Sequence, residues 1–259
     1  MTTRIMAFEG VDNFRDYGDY ATAAGAHIHP GRLYRSAHHG RATDADLAAM
    51  AALEIAVIVD LRRKGERLRE PSRRPAGFSG QVIDNDLGDT ADDPWQTFVK
   101  NSDLSPGAFR GYMMTYYQDA PHDERHLDLY GRYFRALAQA EGPVLIHCAA
   151  GKDRTGILAA LTHHVVGVHD DDIMADYLLT NAAARLEERL PLVTQMMAEQ
   201  TGRTPTPEAV RTAMGVEAAY LNQALTSIRA AYGSVDAYLE KALGVDATVR
   251  EGVTRRLVG

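Results

Sequence analysis

The segment from Pro143 to Gly156 constrains the fold of this chain more than any other. Its first five residues, PVLIH, form a continuous apolar run typical of a strand that is buried on both faces of a sheet. The next six, CAAGKD, are small or polar and include Gly151, which permits a tight backbone turn. A helical pattern follows from Arg154 to about Val166. A buried strand that turns directly into a helix predicts a parallel α/β sheet.

The rest of the chain agrees with this architecture. A second continuous β-branched run, Ile55–Val59, predicts another buried strand, and shorter strands are predicted at 31–36 and 81–84. Helical periodicity covers 107–118 and 124–139, and nearly everything after Asp170 except 202–207. We therefore expect one α/β domain over residues 1–259, with a central, mostly parallel sheet flanked by helices. Ligands of such sheets bind at the carboxyl ends of the strands.

Composition limits the partners and the location of the chain. It has 28 Lys and Arg against 35 Asp and Glu, and this acidic balance argues against a nucleic-acid partner held by phosphate contacts. One cysteine excludes an intramolecular disulfide framework and a multi-cysteine zinc site. No apolar run reaches the ~18 residues needed to span a bilayer, and Met1–Gly10 lacks the apolar core of a signal peptide. We expect a soluble, cytoplasmic protein, with export without a signal peptide left open.

The turn after the PVLIH strand has the residues of a covalent phosphate-transfer site. Cys148 ends the strand, and Arg154 follows six positions later at the start of the helix. The N–H groups between them can surround an anion at the positive end of the helix, and the same field favours a thiolate. A guanidinium can bind two oxygens of a phosphoryl group, and the hydroxyl of Thr155 can donate a hydrogen bond to the sulfur and ease its departure. This pattern predicts hydrolysis of a phosphate monoester through a cysteinyl-phosphate.

The prediction assigns a role to each residue of this segment. The nucleophile is Cys148, and His147 and Thr155 support it. The predicted phosphate-binding residues are Ala149, Ala150, Gly151, Lys152, Asp153 and Arg154.

Other interpretations of the segment are weaker. A nucleotide-binding P-loop fails because Lys152 is followed by Asp rather than Ser or Thr, and no glycine lies five residues before Gly151. An arsenate-reductase type of redox enzyme would need resolving thiols, and this chain has one cysteine. A phosphate-binding module without turnover stays an alternative, although the intact Cys148, Arg154 and Thr155 argue against it.

The HCAAGKDRTG sequence resembles the signature loop of the cysteine-dependent phosphatases, in the variant found in atypical bacterial tyrosine phosphatases that also accept phosphoinositides. Further similarity lies in NFRD, LYRS and VDLR of the first half and in DYL and AYL of the second. The resemblance implies the cysteine-dependent phosphatase fold, no metal or organic cofactor, and phosphotyrosine proteins as first-choice substrates, with phosphoserine, phosphothreonine or phosphoinositides as further candidates. It also implies that the helical segment 182–214, too poor in apolar residues to form its own domain, is a lid over the site.

Protonation of the leaving group requires an acid near the ester oxygen, and three residues are candidates. Asp119 lies 29 positions before Cys148, which suits the acid loop of common tyrosine phosphatases. The resemblance points instead to Asp153, which we favour, and to Asp60 at the end of the VIVD run. Each has a structural alternative: Asp153 orients Arg154, Asp119 caps a helix, and Asp60 holds an arginine in a buried pair.

Charged residues both inside and outside the signature loop have further predicted roles. Lys152 is expected either to contact a second phosphate or to lie solvated at the loop tip. The run 62–74, with seven Lys or Arg against two Glu, could attract anionic lipid or acidic peptide segments, but we favour a charged, solvated helix face. Asn13, Arg15 and Asp16 are expected to form a hydrogen-bond network beside the site, and no metal site is predicted from the histidines.

Overall fold

A computed structural model of the chain describes residues 4–88 and 93–258, and its centre is a mixed sheet. The described strands pair in the order β1-β2-β5-β3-β4. Only the β1–β2 pairing is antiparallel, and the other three are parallel, which confirms the mostly parallel sheet. The strands are β1 (Arg15–Asp16), β2 (Leu33–Ser36), β3 (Val57–Asp60), β4 (Gln81–Ile83) and β5 (Val144–His147).

Helices cover both faces of the sheet and account for most of the second half of the chain. They are α1 (Asp44–Ala51), α2 (Lys64–Arg69), α3 (Pro94–Asn101), α4 (Pro106–Asp119), α5 (Glu124–Gln139), α6 (Asp153–Val165), α7 (Asp170–Leu178), α8 (Thr180–Ala183), α9 (Leu186–Thr201), α10 (Pro207–Met214), α11 (Ala218–Tyr232), α12 (Val235–Lys241) and α13 (Ala247–Val258). In the described part of the chain, none of them combines the length and the apolarity that crossing a membrane would require.

Local sequence signals explain several helix starts. Thr43 accepts a hydrogen bond from the amide of Asp46, whose carboxylate accepts one from the amide of Thr43, so α1 begins with a capping box. Ser105 caps α4 in front of Pro106, which suits the first helical position. The two-residue β1 and the helix α3 were not predicted, because neither presents a long enough periodic pattern.

The alternating residues of the central strands pack into two separate cores. Val57 and Val59 lie with side chains of α5 and α6, whereas Ile58 lies with Met50 of α1 and with Phe14 of the N-terminal segment. The strands β3 and β5 run in parallel with Asp60 opposite His147. Their carboxyl ends therefore meet at one edge of the sheet, and the segment after His147 begins there.

The two helices α9 and α10 form a layer above this edge. They are connected by residues 202–206, where the sequence indicated an interruption, and residues 182–183 belong to the preceding α8. Met197 of α9 and Val210 of α10 share an apolar cluster with Val99 of α3 and Phe109 of α4. The segment thus buries its apolar side chains against neighbouring helices.

Candidate active site

Cys148 lies at the bottom of the loop that connects β5 to α6. Its residue is 1% exposed, and α6 begins five residues later at Asp153. Gly151 has a φ of +67°, and a Cβ at this position would overlap the carbonyl group of Ser36. Only glycine combines this backbone conformation with such a close approach. The loop therefore turns tightly between the sheet edge and the N-terminus of α6.

Buried polar side chains hold this turn from behind. The carbonyl oxygen of Gly151 accepts hydrogen bonds from Asn13 Nδ2 at 2.9 Å and from Arg35 Nη2 at 3.0 Å. Arg35 also donates to Asp176 Oδ2 at 2.6 Å, and Arg15 Nε lies 3.3 Å from Asp176 Oδ1. Burial opposes ionisation of Asp176, but the charges of Arg15 and Arg35 lower its pKa to about 2. The ionised carboxylate thus fixes the arginine that supports the loop.

The expected network of N-terminal residues is only partly formed. Asn13 and Arg15 are hydrogen-bonded to each other and belong to the support of Gly151. Asp16 instead accepts hydrogen bonds from the amides of Gly18 at 2.7 Å and Gly31 at 2.5 Å. Its role is therefore to close a turn before β2.

The guanidinium of Arg154 is oriented by a carboxylate that was not identified from the sequence. Glu66 accepts from Arg154 Nη1 at 2.5 Å and from Nη2 at 2.8 Å. Burial opposes ionisation of Glu66, but the charge of Arg154 lowers its pKa to about 2. Glu66 also accepts from the amide of Arg63 at 2.7 Å, three residues before it. A glutamate in the first turn of a basic helix was the available signal, because such a residue commonly caps the helix.

The basic run 62–74 is paired rather than simply solvated. Arg62 is buried against Asp60, and Arg67, Arg69 and Arg73 each reach an aspartate elsewhere in the chain. The predicted solvated helix face is therefore wrong for Arg62 and incomplete for the others.

The three candidate acids occupy different environments. Asp153 is the first residue of α6, and it lines a cavity next to the loop that contains Cys148. Its carboxylate accepts a hydrogen bond from the hydroxyl of Tyr117 at 2.9 Å. Asp119 is exposed at the end of α4 and lines a separate depression with His122 and Asp123. Of these two carboxylates, only that of Asp153 lies beside the loop that contains Cys148.

Asp60 is occupied in a buried ion pair. It accepts from Arg62 Nε at 2.8 Å and from Arg62 Nη2 at 2.6 Å, and His147 Nε2 lies 3.6 Å away. Burial opposes its ionisation, but His147 and Arg62 hold the pKa of Asp60 well below its ordinary value. This geometry matches the structural alternative for Asp60, a carboxylate that holds an arginine.

The structure contradicts the expectation that Lys152 lies solvated at the loop tip, while a contact with a second phosphate stays a prediction. Its ammonium is buried and donates to the carbonyl oxygens of Ala213 at 2.7 Å and Gly215 at 3.3 Å, at the end of α10. Lys152 is therefore a direct link between the loop and the helices above it, and not a solvated side chain at a loop tip.

His147 and Thr155 are both fully buried beside Cys148. The ring of His147 packs on that of His39 at 4.3 Å, and burial lowers the pKa of His147 to about 4. Within the described residues, neither ring nitrogen of His147 nor the hydroxyl of Thr155 makes a hydrogen bond. The bond from Thr155 to the sulfur that the sequence suggested is therefore not formed in this structure.

A cavity of about 430 Å³ lies between the loop and α9 and α10. Its floor contains Ala149 and Ala150, and its wall contains the aromatic rings of Trp95, Tyr112 and Tyr116. The roof comes from α9 and α10, through Leu186, Arg189, Val193, Met197, Ala213 and Met214. The floor can bind an anion, the wall can accept an aromatic ring, and the roof controls the space above both. Within residues 4–88 and 93–258, no cluster of three or more His, Cys, Asp or Glu could hold a metal ion.

Comparison with known proteins gives matches over nearly the whole chain. The sequence model of the tyrosine phosphatase family matches residues 6–259. A protein of Cupriavidus necator named as a tyrosine-protein phosphatase is 33% identical over 247 residues, which cover 95% of this chain and 87% of that protein. The triple specificity protein phosphatase PtpB of Mycobacterium tuberculosis is 35% identical over 275 aligned positions, which cover 95% of this chain and 96% of that protein. The crystal structure of P. aeruginosa TpbA is 19% identical with a TM-score of 0.31, and the match covers 76% of this chain and 96% of that one.

Proposed function

Because this chain belongs to the tyrosine phosphatase family and is a phosphoric monoester hydrolase, we propose that Cys148, Arg154 and Asp153 carry out its reaction. The observation that supports this assignment most strongly is that Cys148 begins the loop directly after β5, while Arg154 at the start of α6 is already oriented by two hydrogen bonds to Glu66. A guanidinium held in place before substrate binds needs little reorganisation when negative charge develops on phosphorus.

In the first step, the Cys148 thiolate attacks the phosphorus atom and forms an S–P bond. The bond between phosphorus and the ester oxygen breaks, and its electron pair stays on that oxygen. Asp153 donates a proton to the oxygen, so that the leaving group departs as an alcohol or a phenol. Arg154 and the amides of residues 149–154 hold the three equatorial oxygens, which is electrostatic stabilisation of the transition state.

In the second step, a water molecule attacks phosphorus from the side that the leaving group has vacated. Asp153, now a carboxylate, accepts a proton from this water. The S–P bond breaks, its electron pair returns to the sulfur, and inorganic phosphate is released. The enzyme then has its starting thiolate and its protonated acid again, and no cofactor is consumed.

Phosphotyrosine in a protein is the first-choice substrate, because the cavity wall presents aromatic rings above the anion-binding floor. The triple specificity in the name of the relative PtpB supports substrates besides phosphotyrosine, and phosphoserine, phosphothreonine and phosphoinositides are the further candidates that we propose. In this structure the ammonium of Lys152 is bonded to the carbonyls of Ala213 and Gly215. A headgroup with a second phosphate would have to displace that contact, which favours the singly phosphorylated substrate.

Parallel rates on a phosphotyrosine peptide, a phosphoserine peptide and a phosphoinositide test this function, with Cys148→Ser and Arg154→Lys as variants. We expect Cys148→Ser to abolish turnover of every substrate, and Arg154→Lys to lower kcat/KM by about 10²- to 10³-fold because a lysine cannot make the paired contacts. Mass spectrometry of acid-quenched wild type should locate the phosphoryl group on Cys148. Turnover that survives in Cys148→Ser would refute the mechanism.

A further inference from the structure

Tyr117 of α4 connects the core of the protein to the proposed acid. Its ring is fully buried, and its hydroxyl donates a hydrogen bond to Asp153 Oδ1 at 2.9 Å. The hydroxyl of Tyr177, which is also buried, donates to the oxygen of Tyr117 at 2.7 Å. The ring of Tyr220 stacks on that of Tyr117 with centroids 5.6 Å apart. Two hydroxyl groups in series therefore end at one oxygen of Asp153.

The two hydroxyl groups are held by buried rings and donate in one direction, from Tyr177 to Tyr117 and from Tyr117 to Asp153. Burial raises the pKa of Tyr117 and of Tyr177 well above 10, so both hydroxyl groups are protonated donors at neutral pH. A Cβ on Gly156 would lie 2.9 Å from the ring of Tyr177, so that ring packs directly on the backbone of α6. Because both rings are buried and close-packed cores leave few voids, we expect their rotamers to be fixed.

This contact determines which oxygen of Asp153 can carry the proton. Oδ1 accepts from Tyr117, so in the protonated acid the hydrogen is on Oδ2. Lys152 Nζ lies 3.8 Å from Oδ2 and donates instead to the carbonyls of Ala213 and Gly215, so Oδ2 has no close hydrogen bond from the described residues. A carboxyl group with one oxygen fixed and the other available is oriented before substrate enters.

We infer that Tyr117, held by Tyr177, is a positioning residue that orients Asp153 to deliver its proton from Oδ2. This inference rests on the proposed function, in which Asp153 is the acid. It also gives α7 two tasks through adjacent residues. Asp176 supports the anion-binding loop through Arg35 and Gly151, and Tyr177 supports the acid through Tyr117.

The dependence of kcat/KM on the leaving group distinguishes a role of Tyr117 in positioning Asp153 from a role in packing only. The values of kcat/KM are measured on phenyl phosphate, whose phenoxide leaves poorly, and on 2,4-dinitrophenyl phosphate, whose leaving group needs no proton. For Tyr117→Phe we expect about a ten-fold loss on phenyl phosphate, the equivalent of about one hydrogen bond, and less than a two-fold change on the dinitrophenyl ester. For Asp153→Asn we expect about 10²-fold or more on phenyl phosphate alone. The double variant should be no slower than Asp153→Asn.

Tyr133→Phe is the matched control. Its hydroxyl is equally buried but bonds to Tyr17 at 3.0 Å and to Thr162 at 2.9 Å, away from the cavity, so neither substrate should be affected. Tyr177→Phe provides a second test that keeps all ring packing, and it should show the same dependence with a smaller loss. If Tyr117→Phe does not fold, Tyr177→Phe decides.

The outcomes distinguish the inference from the function on which it rests. If Asp153→Asn slows both esters equally, or neither, Asp153 is not the acid and the inference is refuted together with that assignment. If Asp153→Asn shows the expected dependence but the tyrosine variants slow both esters equally, or neither, only the positioning role of Tyr117 is refuted.

Discussion

The anion-binding loop and the pair of helices above it, α9 and α10, are stabilised by different kinds of contact. Behind the loop, Asn13, Arg35 and Asp176 are almost completely buried and are hydrogen-bonded to one another or to Gly151. Between α9 and α10, the ion pair of Arg211 with Glu187 is 2.7 Å long, but its side chains are 50% and 70% exposed. The loop is supported from inside the protein, whereas part of the support of the two helices faces solvent.

This difference suits the separate tasks of the two regions. Breaking a buried charge pair leaves an uncompensated charge inside the protein and is costly, whereas exposed pairs contribute little to stability. We therefore expect the loop that is proposed to bind the phosphoryl group to open less often than α9 and α10. Elements with solvent-exposed contacts generally open at a lower cost in free energy than buried ones.

The largest expected effect comes from removing the charge behind the loop. Asp176→Asn leaves Arg15 and Arg35 buried without a counterion, so we expect the free energy of unfolding to fall by about 3–5 kcal/mol in urea titrations. The value of kcat/KM should fall as well, because Arg35 loses the partner that directs it to Gly151. Asp236→Asn is the matched control, since this carboxylate is 62% exposed in its pair with Arg250. An equal loss in both variants would contradict the comparison.

The loss of stability in Asp176→Asn should depend on pH. Because the pKa of Asp176 is lowered to about 2 from 3.8, its stabilising effect is complete above about pH 4 and is lost as the pH falls towards 2. The difference in unfolding free energy between wild type and Asp176→Asn should therefore shrink over that interval. A difference that persists unchanged at pH 2 would show that the carboxylate charge is not its source.

The next effect in size concerns the buried contact that connects the two regions. Lys152→Met keeps the length of the side chain but removes the ammonium that donates to Ala213 and Gly215. A charged hydrogen bond of this kind contributes about 1.5–3 kcal/mol, so amide hydrogen exchange over α10 should become roughly ten-fold faster or more. Exchange over β5 should not change, because the strand lies in the stable region.

Lys241→Met, on the exposed end of α12, is the control for loss of a positive charge. If exchange over α10 is the same in both variants, the contact of Lys152 does not stabilise α10. The apolar contacts of Met197, Val210 and Phe109 would then be sufficient to hold the helix in place.

The parts of the molecule that could be predicted from the sequence are those whose structure depends on neighbouring residues in the chain. The strand, the turn and the helix around Cys148 are local, so their order and the position of Arg154 follow from adjacent residues. The predicted bounds of α5 agree with the structure residue for residue, because its cap and its amphipathic pattern are both within the segment. The α/β class then follows from the alternation of strands and helices.

The partners of the site residues were not predictable in the same way. Glu66 is 88 positions before Arg154 and Tyr117 is 36 before Asp153, so only tertiary packing brings them together. Lys152 shows the same limitation, because the carbonyl groups that bind it carry no side-chain identity and are 61 and 63 positions away. A single sequence identifies the reacting groups but does not reveal what holds them.

The smallest expected effect is a change in hydrogen exchange at the start of α9, after removal of the charge of Asp12. Asp12 accepts from Arg185 Nε at 2.9 Å and also from Arg189, which lines the cavity, and its side chain is 14% exposed. The ion pairs of Asp12 are less buried than that of Asp176 and less exposed than that of Glu187. Asp12→Asn should therefore make hydrogen exchange over the first turns of α9 about two- to five-fold faster, and the increase should be smaller at high salt concentration. Glu187→Gln breaks the mostly exposed ion pair of this α9 residue with Arg211 of α10 and should leave exchange over the first turns of α9 unchanged. If both variants have the same effect, burial does not set the strength of these ion pairs, and the roof of the cavity is held by apolar packing together with the contact of Lys152.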